Sequence, residues 1–134
     1  MVRIILGIVA GIIVAGVVTL LIEMVGHSVF PVASDLAMTD PAYLAAVPLP
    51  AKLIVMLAWF LASLIGGYLA NRLSQTRWAC WAIAGFMIAG AAYSFTQITH
   101  PTWMIAGGIV LPLLAAAMTS RLTAPGDEAA LPTV

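Results

Sequence analysis

The chain has 134 residues, of which 63% are apolar and only 7% are charged. Soluble domains are about 45–50% apolar, so this composition excludes a water-soluble fold. The formal net charge is zero and the five Lys and Arg residues are scattered. That pattern argues against a nucleic-acid partner, because phosphate binding needs clustered basic side chains. The composition therefore indicates a protein whose solvent is the lipid bilayer.

Four apolar stretches without charged residues are each close to the length that crosses a bilayer core of about 30 Å. We predict a transmembrane helix in each, at residues 4–22, 53–70, 78–95 and 103–120. The first stretch has no clean signal-peptide cleavage site behind it, and we expect it to stay in the protein as a span. The predicted fold class is all-α: a polytopic membrane protein whose residues 1–122 form one four-transmembrane-helix bundle.

A long loop connects the first two spans, and its prolines exclude a continuous helix. Asp40 followed by Pro41 is typical of a helix N-cap and the first helical position. We therefore expect a short interfacial helix over residues 41–46, above the outer mouth of the bundle. After the fourth span, residues 123–134 combine Pro, Gly and acidic residues and are expected to form a disordered cytoplasmic tail.

The basic residues of the short connections predict the orientation of the spans, because they favour the cytoplasmic face. Four arginines fall on the side of the two termini: Arg3, Arg72, Arg77 and Arg121. Lys52 is the single basic residue of the opposite connections. Both termini are therefore expected in the cytoplasm, and the long loop outside.

Small residues at four-residue spacing indicate where helices approach each other closely, since helix association in lipid depends on van der Waals packing. The first span carries Gly7 and Gly11, and the second carries Ala62 and Gly66 within a longer stripe of small residues. Two interpretations remain open. The stripes pack the four helices of one chain together, or one of them forms a homodimer interface.

The polar residues of the outer side are the candidates for a functional site. Glu23 and His27 are four residues apart and share a helix face, and His100 lies in the other outer connection. Trp59 lies about two turns inside the second span, where its indole N–H needs a partner or a polar cavity. Four further residues complete the outer side as a structural polar cap: Asp35, Asp40, Lys52 and Trp103.

Three interpretations of Glu23, His27 and His100 stay open. They form a structural hydrogen-bond network, they bind a proton or a solute, or they bind a divalent metal such as zinc. The spacing is not that of a known zinc motif, so the metal site is the weakest alternative. No catalytic residue and no cofactor are predicted.

Several short motifs carry a resemblance to known sequences. They are Glu23 to Pro31, Asp40–Pro41, Leu49–Pro50, Ala58–Trp59, Gly66–Gly67 and His100–Pro101–Thr102–Trp103. In these motifs the chain resembles an uncharacterised family of small bacterial four-helix integral membrane proteins. The resemblance implies a bacterial inner membrane and a four-helix fold. It also implies importance for Glu23, Pro31, Gly67, His100, Pro101 and Trp103, but no activity.

Two functions of different classes follow. The first is a non-enzymatic oligomeric, accessory or scaffold protein of the bacterial inner membrane. Its partners are the lipid bilayer and a second copy or a larger membrane complex. The alternative is a small transporter or binding protein with an outer-facing Glu/His site for a proton-coupled solute or a cation.

Overall fold

The computed structural model describes residues 1–31, 36–37, 40 and 42–123. Within them the chain is all-helical, with α1 (Val2–Val29), α2 (Tyr43–Ala46), α3 (Leu49–Ser74), α4 (Ala79–Gln97) and α5 (Thr102–Leu122). All but α2 are long and apolar enough to span a membrane. The predicted four-helix membrane fold with a short helix in its long loop is confirmed. Asp35, Pro41 and the tail beyond Thr123 lie outside the described residues.

The two longest helices extend beyond the apolar stretches that predicted them. α1 continues past Glu23 to Val29, and α3 begins at Leu49, before Lys52. A charged residue marks the edge of an apolar stretch but does not end the backbone hydrogen bonding of a helix. Pro50 lies in the first turn of α3, where its missing N–H costs no hydrogen bond. Glu23 therefore lies nearly two turns before the end of α1, where the helix dipole has little effect.

Small residues bring α1 and α3 into antiparallel backbone contact. A Cβ atom on Gly11 would lie 2.7 Å from the carbonyl oxygen of Gly66, and one on Gly66 would lie 2.6 Å from that of Gly11. A Cβ atom on Gly7 would lie 2.9 Å from the Ala70 carbonyl oxygen. Ala62 is fully buried in the same core. The small residues named from the sequence thus lie between the chain's own helices.

The central helix, α3, contacts α1, α4 and α5. Its Met56 packs against Gly107 of α5, and Trp59 packs against Gly108 one turn away from Met56. Farther along α5, Ala116 forms a small buried cluster with Cys80 and Ala84 of α4. These contacts produce one bundle with two ends, which α1, α3, α4 and α5 cross in alternating directions.

We call the two ends of the bundle the terminal end and the distal end. The terminal end contains the start of α1, the α3–α4 connection and the end of α5. There the Arg77 guanidinium donates from Nε to the Ser120 carbonyl oxygen at 3.3 Å. The distal end contains the end of α1, α2, the start of α3 and the α4–α5 connection, so Glu23, Lys52 and His100 all lie there.

The short helix α2 is a single turn at the distal end. Asp40 precedes it and accepts a hydrogen bond from the Ala42 backbone N–H on Oδ1, at 2.8 Å. The helix was expected to begin at Pro41 but begins at Tyr43. The Asp40 side chain closes a turn with Ala42, the residue before Tyr43, and the helix starts only after this turn. Leu44 of α2 is buried in the main core, which holds this turn against the bundle.

Replacing Gln75 with Gly is expected to stabilise the protein by about 1 kcal/mol. Gln75 ends α3 in the left-handed conformation, with φ 55° and ψ 33°. This conformation costs about 1–2 kcal/mol for a residue with a Cβ atom and little for Gly. Thermal unfolding in detergent would measure the gain. Gln97→Gly is the control, because Gln97 lies in α4, where Gly lowers stability. If the Gln75→Gly variant were no more stable than the parent, the left-handed conformation of Gln75 would not be strained.

Candidate functional site

A cavity of about 200 Å³ at the distal end collects most of the polar residues singled out from the sequence. We call it the distal pocket. The lining residues with polar side-chain groups are Glu23, His27, Tyr43, Lys52, Trp59, Ser94 and His100. The rest of the lining is mainly apolar and includes Phe30, Leu44, Val55, Ile98 and Met104. An apolar pocket with a few convergent polar groups is the usual form of a small-molecule site.

Glu23 supplies the pocket's carboxylate and is half-buried on α1. The Trp59 indole on α3 lines the same two cavities as this carboxyl group, and His27 follows it one turn later on α1. Trp59 is only 8% exposed, so this donor is held in place by the core. A negative charge at Glu23 therefore has one hydrogen-bond donor and one titratable ring beside it.

The two histidines are held in similar ways. Nδ1 of His27 lies 2.9 Å from the Glu23 carbonyl oxygen, and Nδ1 of His100 lies 2.7 Å from the Ile98 carbonyl oxygen. A carbonyl oxygen only accepts hydrogen bonds, so Nδ1 carries the proton in both rings. In each neutral ring Nε2 is then the nitrogen that can accept a proton or a hydrogen bond.

A row of aromatic rings connects His100 to the core. The His100 ring contacts Phe95 edge to face, with 4.9 Å between ring centroids. Phe95 in turn contacts Trp59 at 6.0 Å. A Cβ atom on Gly108 would lie 2.8 Å from both of the latter rings, so α5 packs directly on this row. The row fixes the positions of His100 and Trp59, which the sequence separates by 41 residues.

The pocket's remaining wall comes from α2 and the start of α3. Tyr43 and Leu44 of α2 line it, as does Val47, which follows α2. Lys52 lies in the first turns of α3 and is half-buried. Its ammonium group stands on a flexible four-carbon stem that can extend toward water, whereas the shorter Glu23 side chain remains beside Trp59. Of the two charged groups, the Glu23 carboxylate is therefore the one whose position in the pocket is better defined.

Among the residues that the structure describes, no three His, Cys, Asp or Glu side chains lie close enough together to hold a metal ion. Glu23, His27 and His100 thus line one cavity without converging on one point. The zinc alternative has no geometric support in this part of the chain.

A second cavity of about 390 Å³ lies between α1 and α4. We call it the lateral cleft. Its α1 wall contains Gly16, Thr19 and Leu20, and its α4 wall contains Phe86, Met87, Gly90 and Ala91. Three residues line both cavities, namely Glu23, Trp59 and Ser94. The lateral cleft and the distal pocket are therefore neighbouring cavities, with these three side chains between them.

The residues predicted as a structural polar cap are not all together. Lys52 lines the distal pocket, whereas Asp40 is occupied in the turn before α2. Trp103 is 43% exposed on the first turn of α5. Asp35 lies outside the described residues. The sequence did not single out Ser94 or Phe95, because a serine and a phenylalanine at the end of an apolar span are not distinctive.

No family model, curated protein or solved structure matches this chain. The class of protein therefore follows from the molecule itself. Its four apolar helices make it a multi-pass membrane protein that contacts lipid. The distal pocket and the lateral cleft are the spaces in this bundle that could hold a ligand.

Proposed function

We propose that this protein is a non-enzymatic binding or transport protein of a membrane, and that its distal pocket takes a small solute carrying a positively charged amine. The observation that carries the proposal is the shared cavity. Glu23, Lys52, Trp59 and His100 come from two helices, α1 and α3, and the α4–α5 connection, and all of them line it. A purely structural network would be expected to close the space between these groups instead of leaving about 200 Å³.

The size of the pocket limits the solute. An engineered apolar cavity of about 150 Å³ holds benzene, so a cavity of about 200 Å³ has room for about eight non-hydrogen atoms. The mainly apolar lining favours a compact organic group over a hydrated inorganic ion. Benzylammonium has the right size and charge to serve as a probe.

The charge of the solute follows from Glu23. A half-buried carboxylate loses part of its hydration, and an ammonium group can replace it with a charge-assisted hydrogen bond. Trp59 and Phe30 add aromatic surface to the same cavity, and an aromatic face attracts a cation. Nε2 of His100 remains a proton acceptor, which provides a means of coupling solute binding to a proton.

Replacing Glu23 with Gln is expected to weaken benzylammonium binding by at least about tenfold. A hydrogen bond to a charged group contributes about 1.5–3 kcal/mol, and Gln keeps the shape of Glu but removes its charge. Isothermal titration of the purified protein in lipid nanodiscs would measure the affinity, with empty nanodiscs subtracted. Benzyl alcohol, which lacks the positive charge, should bind both proteins equally.

The control for this experiment is Asp40→Asn. Asp40 is a carboxylate at the same end of the bundle but does not line the pocket, and Asn retains the acceptor that closes the turn before α2. Asp40→Asn should bind benzylammonium like the parent. Equal binding by the parent and a folded Glu23→Gln variant would reject the proposal.

An oligomeric or accessory role is the second candidate, and two exposed glycines of α4 favour it. Gly85 and Gly90 are exposed there, and a Cβ atom on either would have nothing within 4 Å. Small residues with open space above them allow another helix to approach closely in lipid. A particle mass in mild detergent that corresponds to one chain, without a partner, would count against this role.

Location and orientation belong to the same proposal. The resemblance to small bacterial membrane proteins supports the bacterial inner membrane. The four arginines at the terminal end support cytoplasmic termini, with residues 123–134 as a cytoplasmic tail. The distal pocket would then open to the outer side.

A further inference from the structure

We infer that the solute of the distal pocket is the head group of a single-chain amphiphile, whose alkyl chain lies in the lateral cleft. This inference rests on the proposed function and adds a substrate class to it. It also implies that the ligand enters sideways from the lipid phase. The starting observation is that the two cavities share Glu23, Trp59 and Ser94.

The lateral cleft has the dimensions of a chain site. On α1 it extends from Gly16 to Glu23, which corresponds to about 10 Å along the helix. Gly16 and Gly90 leave the space open, because a Cβ atom on either glycine would meet nothing within 4 Å. Leu20 is 60% exposed and Phe86 is 46% exposed, so the cleft opens on the outer surface of the bundle. That surface faces lipid at this depth in the helices.

The polarity of the cleft changes along its length. Gly16, Leu20, Phe86, Met87 and Gly90 offer no polar side-chain group, and the Thr19 hydroxyl already donates to the Ala15 carbonyl oxygen at 3.0 Å. Its one charged lining residue is Glu23, which also lines the distal pocket. An apolar channel that ends at a carboxylate matches an alkyl chain that ends in an ammonium group. A neutral lipid chain or an anionic head group lacks that complementarity.

Octylammonium and benzylammonium together test the inference. Benzylammonium fills only the distal pocket, whereas octylammonium also extends into the cleft. Gly90→Leu places a side chain in the cleft and should weaken octylammonium binding by about tenfold, equivalent to roughly two methylenes that no longer fit. Benzylammonium binding should change by less than about twofold. Titration in the same nanodiscs cancels the partition of each amine into lipid.

Two further variants make the test specific. Gly16→Leu fills the cleft from the α1 side and should act like Gly90→Leu, which protects the test if one variant does not fold. Gly85→Leu is the matched control. Gly85 is also on α4 and also has nothing within 4 Å of a Cβ atom, but it does not line the cleft. It should leave the binding of both amines unchanged.

Each other result has a defined meaning. If Glu23→Gln weakens both amines while the two cleft variants bind octylammonium normally, the lateral cleft inference is wrong and the proposed function stands. If neither amine depends on Glu23, both proposals fail. If Gly90→Leu converts an oligomer into single chains, the cleft belongs to an interface with a second copy, and the inference is overturned.

Discussion

Replacing Gly11 with Ala is expected to lower the free energy of unfolding by about 2 kcal/mol and to reduce the yield of folded protein. The new Cβ atom would lie 2.7 Å from the Gly66 carbonyl oxygen and 2.8 Å from the Ala70 Cβ atom. Neither atom can move without shifting α3, and overpacking of this kind costs about 1–3 kcal/mol or more. The helix propensity of Ala returns up to about 1 kcal/mol of this loss. Thermal unfolding in detergent measures the difference.

The matched control is Gly16→Ala on the same helix. A Cβ atom there would have nothing within 4 Å, so only the helix propensity changes. This variant should be as stable as the parent or more stable. If Gly11→Ala were equally well tolerated, the close contact between α1 and α3 would not be a feature of the native protein.

Replacing Asn71 with Ala is expected to cost about 2–3 kcal/mol. Asn71 is 3% exposed near the end of α3, and its Oδ1 accepts a hydrogen bond from the Cys80 N–H at 2.7 Å. This N–H group lies in the first turn of α4, where backbone N–H groups have no acceptor within their own helix. The Asn71 Nδ2 donates to Thr123 Oγ1 at 2.8 Å, just beyond α5. Loss of the amide leaves a buried donor without a partner and disconnects three helices.

Two comparisons separate these contributions. Asn71→Asp keeps the acceptor for Cys80 but removes the donor to Thr123 and to the Arg77 carbonyl oxygen, so its stability should lie between those of the parent and Asn71→Ala. Gln97→Ala is the surface control, because Gln97 is exposed and donates only to its neighbour Thr96 in this structure. It should change stability by less than about 0.5 kcal/mol. A drop for Gln97→Ala as large as that for Asn71→Ala would contradict the role of Asn71 as a connector.

Part of the site was accessible from the sequence because few polar residues occur in this chain. Glu23, His27 and His100 stand out against apolar neighbours, and Trp59 stands out by its depth in a span. Lys52 was assigned to a structural cap, although it lines the same pocket as these four. Ser94 and Phe95 were missed, since neither residue type is unusual at the end of a span.

Asn71 shows why connections are harder to predict than spans. The sequence predicts that the second connection begins at Asn71, because the apolar stretch ends at Ala70. The helix continues to Ser74, and the Asn71 side chain is buried among the ends of three helices. The partners of this amide, Arg77, Cys80 and Thr123, are six, nine and 52 residues away along the chain, so no local pattern reveals them.

The sequence by itself determined the four apolar helices, because the hydropathy and length of each segment are local properties and lipid requires every span to satisfy its own backbone. It also determined which residues carry charge. Only the tertiary structure decided that Gly7 and Gly11 are packed against α3 while Gly16 and Gly90 border open space. These glycines are chemically identical, so the difference comes from the neighbouring helix. The same holds for the cavities beside Glu23, whose walls come from helices far apart in the chain.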